Sequence, residues 1–165
     1  MTHLQILFVC LGNICRSPLA EGVFRELVKK RGLSDKIACD SAGTAGYHIG
    51  NLPDHRSRRI AHDYGISLTH KARKLVSDDY GQFDYIVAMD TANFDHIQSL
   101  SYRITGFDMP EDRLILFRQF DSIDPNTDVP DPYYEDMAAF DEVYQIAVRC
   151  SESLLDFLTE THNLA

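Results

Sequence analysis

The run Cys10-Leu11-Gly12-Asn13-Ile14-Cys15-Arg16-Ser17-Pro18 gathers a thiol, a guanidinium and a hydroxyl into one short loop. A thiolate is a strong nucleophile, and it is favoured where unpaired backbone N–H groups and the positive end of a helix dipole face it. The same N–H groups can be curled into a nest that holds the three equatorial oxygens of a tetrahedral anion. Gly12 and Asn13 suit such a nest, because glycine adopts positive φ freely and asparagine tolerates it better than most residues. Arg16 supplies a rigid fork that can grip two phosphate oxygens at once, a geometry that lysine does not reproduce. Ser17 can donate a hydrogen bond to the sulfur as nucleophile and again as leaving group. This set describes phosphoryl or arsenyl transfer through sulfur, with Cys10 as nucleophile. No Gly-Lys-Ser/Thr follows the glycine, so the loop is not a nucleotide-binding P-loop.

Such a loop must open from a strand and close into a helix. The uninterrupted apolar run Leu4–Val9 reads as a buried parallel strand. Ser17 is a reasonable helix cap before Pro18, and Leu19, Val23, Leu27 and Val28 mark one apolar helical face running to about Arg31. Strands are then expected at Lys36–Asp40, Phe83–Met89 and Arg113–Phe117. Helices are expected near Pro53–Tyr64, from Thr91 to about Leu100, and over Met137–Leu158. Strands alternating with helices give an α/β fold with a parallel sheet, and in such sheets ligands bind beyond the carboxyl ends of the strands. The Cys10 loop begins at such an end.

Composition narrows the field. The 165 residues, 44% apolar and 25% charged, fit a single domain over 1–165 with one substantial core. The apolar N-terminal run is too short for a membrane span and lacks the flanks of a signal peptide, so a soluble cytoplasmic protein is expected, without membrane contact. Four cysteines (Cys10, Cys15, Cys39, Cys150) do not make a disulfide framework in a chain of this length, and they read as reduced thiols. The net charge of −9 is uneven: residues 1–82 balance to +4 and residues 83–165 to −13. No basic surplus of the kind a nucleic-acid partner requires is present. The histidines show no zinc-ligand spacing with the cysteines, so no metal is expected.

The residues from Cys10 to Pro18 resemble the active-site loop of the low-molecular-weight protein tyrosine phosphatases, and the likeness extends over nearly the whole chain. Asp40-Ser41-Ala42-Gly43-Thr44 and Asp131-Pro132-Tyr133-Tyr134 stand where that family carries its supporting serine and its catalytic aspartate loop. The resemblance implies a three-layer sandwich: a central four-stranded parallel twisted sheet, order 2-1-3-4, with helices on both faces. It implies no metal and no organic cofactor, and a tyrosine-phosphorylated protein as substrate. It further implies that Asn13, Ser41 and His70 form a relay holding the loop, and that Cys15 can form a reversible disulfide with Cys10. A monomer or weak self-association is expected.

Cleaving a phosphate ester also needs a proton for the departing oxygen. Asp131 is the candidate. On spacing alone it is one carboxylate in a turn-rich stretch with Asp121, Asp124 and Asp128, and turn residue and acid both stand. The resemblance selects the acid. Tyr47, Tyr133 and Tyr134, with Leu11 and Ile14, are expected as an apolar rim for the substrate ring. The chain departs from the family in having no tryptophan and in placing Glu135 where a small residue is common. The rival reading is an arsenate reductase of the same fold, which needs two further cysteines close together on a mid-chain segment. Cys39 and Cys150 are instead far apart in sequence. A cysteine phosphocarrier would have no use for an acid at Asp131, and a pure phosphate-binding module could do without the thiol.

Overall fold

A computed structural model describes residues 3–164. Strand β1 (Leu4–Cys10) is the centre of its architecture. It pairs in parallel with β2 (Ile37–Gly43) on one side and β3 (Tyr85–Ala88) on the other, and β4 (Leu114–Leu116) follows beyond β3. The order is β2-β1-β3-β4, all parallel, as expected.

A strand flanked on both sides must bury both of its faces, and the alternation along β1 shows where each goes. Leu4, Ile6, Phe8 and Cys10 join Tyr85 and Val87 of β3 in a core shared with helices α1 (Arg16–Lys30) and α5 (Met137–His162). Leu7 and Val9 join Ile86, Ala88, Leu114 and Leu116 on the opposite face. There the cover comes from the short α3 (Asp79–Gln82) and from α4 (Thr91–Thr105), through Tyr80 and Ile97. Helix α2 (His55–Asp63) lies on the α1/α5 side. Phe8 is fully buried, with edge-on contacts to Phe24 of α1 at 5.4 Å and to Phe117 at 5.3 Å. The three layers that the resemblance implies are therefore present. Among the described residues no helix is long and apolar enough to cross a membrane.

Element ends differ from the sequence expectation in instructive places. Helix α1 starts at Arg16, its cap position is Cys15, and no side chain caps it. Ser17 is thus inside the first turn, and its hydroxyl is used elsewhere, on Cys10. Strand β2 continues through Ser41 to Gly43 because its backbone pairs with Phe8 through Cys10, whatever its side chains are. Helices α4 and α5 run past Leu100 and Leu158 and stop where Gly106 and Asn163 adopt left-handed φ. The four-residue α3 and the 3-10 turn Phe117–Phe120 have no periodic signal long enough to read.

Order 2-1-3-4 also fixes where a ligand can sit. The chain leaves β1 toward one side of the sheet and returns as β3 on the other, so a crevice opens beyond the ends of β1 and β3. Cys10 ends β1 and Asp90 follows β3.

Candidate active site

The loop after β1 turns tightly over the start of α1. Asn13 carries the turn in the left-handed region, with φ 58°, and its side chain is wholly buried. Three of the loop's carbonyls are taken up by neighbouring segments. Thr44 N–H donates to Cys10 O (2.9 Å), Ala45 N–H to Leu11 O (2.9 Å) and Asp54 N–H to Ile14 O (2.7 Å). This close approach explains Gly43: a Cβ there would lie 2.7 Å from Leu11 O and 3.2 Å from the Asn13 Cβ. With the carbonyls facing outward, the N–H groups of the loop and of the first turn of α1 are left for the interior of the curl.

The hydrogen-bond chain under the loop can be read atom by atom. Asn13 Oδ1 accepts from the Arg73 backbone N–H (3.0 Å), which fixes the amide orientation and makes His70 Nε2, at 2.8 Å, a donor. Asn13 Nδ2 then donates to Ser17 Oγ (2.8 Å) and Ser41 Oγ (3.0 Å). Ser41 Oγ donates to the carboxylate of buried Glu21 (2.6 Å). Ser17 Oγ, which accepts from Asn13, also lies 3.0 Å from Cys10 Sγ, and it is the donor of that pair when the sulfur is a thiolate. His70 Nδ1 faces Asp40 (3.2 Å) and Glu21 (3.4 Å). Burial would raise the Asp40 carboxyl, but the His70 hydrogen bond, the Ser41 N–H and the Arg73 charge outweigh it and hold it below the usual carboxylate range.

Arg16 is a buried cation and is paired accordingly. Its Nη1 donates to Asp90 Oδ2 (2.7 Å) and to Val129 O (3.0 Å), and its Nη2 lies 3.7 Å from Asp131 Oδ2. Burial alone would lower its proton affinity; the charges of Cys10, Asp90 and Asp131 reverse that, so the guanidinium stays charged. Asp90 also caps α4, accepting from Asn93 N–H at 2.7 Å. One carboxylate therefore orients the cation and starts a helix.

Above the loop lies a cleft of about 150 Å³. Cys10, Gly12 and Arg16 line its floor, and Asp131 lines it as well, 3.7 Å from Arg16 Nη2. Of the residues expected as a rim, Tyr47, Tyr133, Tyr134, Leu11 and Ile14 all line the cleft, with Tyr134 92% exposed. Asn13, Ser17, Ser41 and His70 lie beneath, joined by the hydrogen bonds described above. Cys15 reaches the cleft, but burial, with the charges of Asp54, Cys10 and Asp131, pushes its thiol far up. Cys39 in β2 and fully buried Cys150 in α5 do not line the cleft.

Sequence reading missed Asp90, Glu21, Gly43 and His48. Asp90 was legible as a cap three residues before Asn93. Glu21 lies one turn after Ser17 on α1 and was visible only as a charge on a buried face. His48 packs against Tyr133 (ring centroids 6.2 Å apart) and, by its Cδ2, against Gly12, and carries no sequence signal.

The fold and site together are those of an α/β protein with a cysteine–arginine loop at the carboxyl edge of a parallel sheet. The model for "Low molecular weight phosphotyrosine protein phosphatase" matches residues 5–163. The human protein of that name is 40% identical over 154 residues, covering 92% of this chain and 94% of its own. YfkJ of Bacillus subtilis, a low molecular weight protein-tyrosine-phosphatase, is 43% identical over 155 residues, covering 92% of this chain and 94% of its own. Its crystal structure superposes with a TM-score of 0.88 at 38% identity, covering 98% of both chains. DARP, a Drosophila arginine phosphatase, superposes at 0.86 with 30% identity, covering 94% of this chain and 98% of its own. The chain belongs to the low molecular weight phosphotyrosine protein phosphatase family.

Proposed function

We propose that the chain hydrolyses phosphotyrosine in proteins, with Cys10 as nucleophile, Arg16 as phosphate clamp and Asp131 as acid and base. The Cys10 thiolate attacks phosphorus in line. An S–P bond forms as the P–O bond to the aryl group breaks, and Asp131 gives its proton to the departing phenolate. Water then attacks the phosphocysteine, Asp131 takes the water's proton, and the S–P bond breaks to return thiolate and inorganic phosphate. The N–H groups of Leu11–Cys15 and the Arg16 fork hold the three equatorial oxygens through both steps, as preorganised dipoles aimed at the charge that develops. The chemistry as written uses no metal ion and no organic cofactor.

The observation that carries this reading is the 3.0 Å contact between Ser17 Oγ and Cys10 Sγ at the floor of the cleft. Asn13 Nδ2 donates to the same oxygen, and once the sulfur is a thiolate it has no proton to give, so the hydroxyl is the donor, as a sulfur that must be anionic before attack and after release requires. The tyrosine walls supply an apolar slot for a flat ring. An arsenate reductase is disfavoured because neither Cys39 nor Cys150 lines the cleft.

The test is hydrolysis of matched phosphotyrosine, phosphoserine and phosphoarginine peptides with a chelator present. Selective turnover of the phosphotyrosine peptide is expected; preference for phosphoarginine would reassign the substrate, and dependence on added metal would overturn the mechanism. In parallel, Asp131→Asn should lower kcat/KM for phenyl phosphate by roughly 10²–10⁴-fold and spare 2,4-dinitrophenyl phosphate, whose leaving group needs no proton.

A further inference from the structure

We infer that Arg56 is a positioning residue that holds the Asp131 carboxyl over the sulfur. The inference rests on the proposal that Asp131 is the proton donor, and it concerns how a weakly anchored loop keeps that donor in place.

Residues 130–135 have few ties. Within the segment, Tyr133 N–H donates to Asp131 Oδ1 (3.1 Å) and Glu135 N–H to Pro132 O (2.9 Å). To other segments, among the described residues, the only hydrogen bonds come from Arg56. Its Nη2 donates to Tyr133 O and its Nη1 to Glu135 O, both at 2.9 Å. The Arg16–Asp131 approach, at 3.7 Å, is longer than a hydrogen bond. Tyr133, gripped at its carbonyl by Arg56, is the residue whose N–H fixes the Asp131 carboxylate, so one peptide unit separates the latch from the acid.

The other end of the latch is the phosphate loop. Arg56 Nε and Nη2 donate to the two Asp54 oxygens, each at 3.0 Å, and the Arg56 N–H donates to Asp54 Oδ1 at 2.9 Å. Asp54 N–H in turn donates to Ile14 O inside the loop, at 2.7 Å. The guanidinium also lies over the Phe140 ring of α5, 4.4 Å from its centroid. A fork used in four directions cannot be replaced by an ammonium, which has no plane to stack and no fixed pair of donors. The geometry thus joins floor and acid by a path, Ile14–Asp54–Arg56–Tyr133–Asp131, that bypasses the substrate. Displacement of a reacting group by about 1 Å can cost on the order of 10²-fold in rate, which is the scale such a latch controls.

The experiment uses the intact chain with Arg56→Ala, Asp131→Asn and the double variant, reading kcat/KM for phenyl and 2,4-dinitrophenyl phosphate and the inhibition constant of inorganic phosphate. Arg56→Ala should lose about 30-fold on phenyl phosphate and less than about threefold on the dinitrophenyl ester. Phosphate inhibition should stay within about twofold, and adding Arg56→Ala to Asp131→Asn should cost less than about twofold more. Arg56→Lys, which keeps the stem and charge, gives the same pattern with a smaller loss and serves if the alanine variant does not fold. Equal losses on both esters, a parallel loss of phosphate binding, or full additivity with Asp131→Asn would each overturn the latch. If Asp131→Asn itself treats both esters alike, the acid assignment fails instead, and the two failures are told apart by that single variant.

Discussion

The two halves of the site are built to opposite specifications. The phosphate loop is buried and over-determined: Asn13 makes four hydrogen bonds, three loop carbonyls are taken up by other segments, and Cys10 is 3% exposed. The acid loop stands in solvent, with the Asp131 side chain 46% exposed, and Arg56 makes its only hydrogen bonds to the rest of the described structure. Under the proposed mechanism the difference follows from what each does. A cradle for charge that develops at phosphorus works only if its dipoles are already oriented, so reorganisation must be prevented. A proton donor must meet leaving groups carried on proteins of varied shape, and segments that admit such variety are drawn from the weakly held parts of a fold. Rigidity sits under the anion and adaptability over the ring.

The contrast can be broken or sharpened by variants, beginning with the largest expected effect. Cys10→Ser should cut turnover by at least on the order of 10⁴-fold, since the nucleophile is lost, while titration with phosphate shows the cradle still binding. A serine variant that turns over near the wild-type rate would remove sulfur from the mechanism. Next, Arg16→Lys should lose roughly 10²–10³-fold in kcat/KM, nearly as much as Arg16→Ala, because a point charge replaces a bidentate clamp. If lysine retains activity, the fork geometry is not needed.

Smaller effects test the supports. Gly43→Ala puts a methyl against Leu11 O and should cost about 1–3 kcal/mol in denaturant unfolding, with weaker phosphate binding. An unchanged midpoint would mean that the cradle yields more easily than its bonding suggests. The smallest effect on turnover is expected at Asp121, below the base of the acid loop. It binds Arg118 (3.1 Å) and Arg149 (2.8 and 2.9 Å), and Arg118 in turn holds Asp128 O (2.9 Å). The Arg149 hydrogen bonds, against burial, hold the Asp121 carboxyl far below its usual range. A depressed carboxyl stabilises the fold above the unfolded value of about 3.9 and loses that contribution as pH falls toward the folded value. Asp121→Asn should therefore cost about 3 kcal/mol at pH 7, and the gap to wild type should shrink in acid. A gap of the same size at pH 7 and pH 2.5 would mean that the carboxylate charge is not what the two arginines hold.

Much of this was legible from local pattern. The apolar run before Cys10 is a buried strand because β1 covers two cores at once, whereas of the glycine and asparagine expected to carry positive φ in the loop only Asn13 does, and Gly12 stays outside the left-handed region. Helix α5 was visible in its apolar periodicity, while its true end was set by Asn163. Ser17 shows where local reading goes wrong. A serine just before a proline that opens a helical pattern looks like a cap, but the helix starts two residues earlier than that, at Arg16, and the hydroxyl lies against sulfur. Short elements such as α3 and the 3-10 turn were not legible, because four residues carry too few positions to show a period.

Spacing along the chain settles whatever acts within one loop: nucleophile, nest and clamp are separated by so few peptide bonds that any strand-to-helix turn brings them together. Folding alone settles the partners of those groups. Asp90 reaches Arg16 across 74 positions, Val129 reaches it across 113, and Arg56 meets Tyr133 across 77. No periodicity encodes such pairings; they exist because parallel pairing of β1 with β3 and packing of α2 against α5 close those long loops, and a buried or half-buried guanidinium then takes whatever oxygen the closed chain presents.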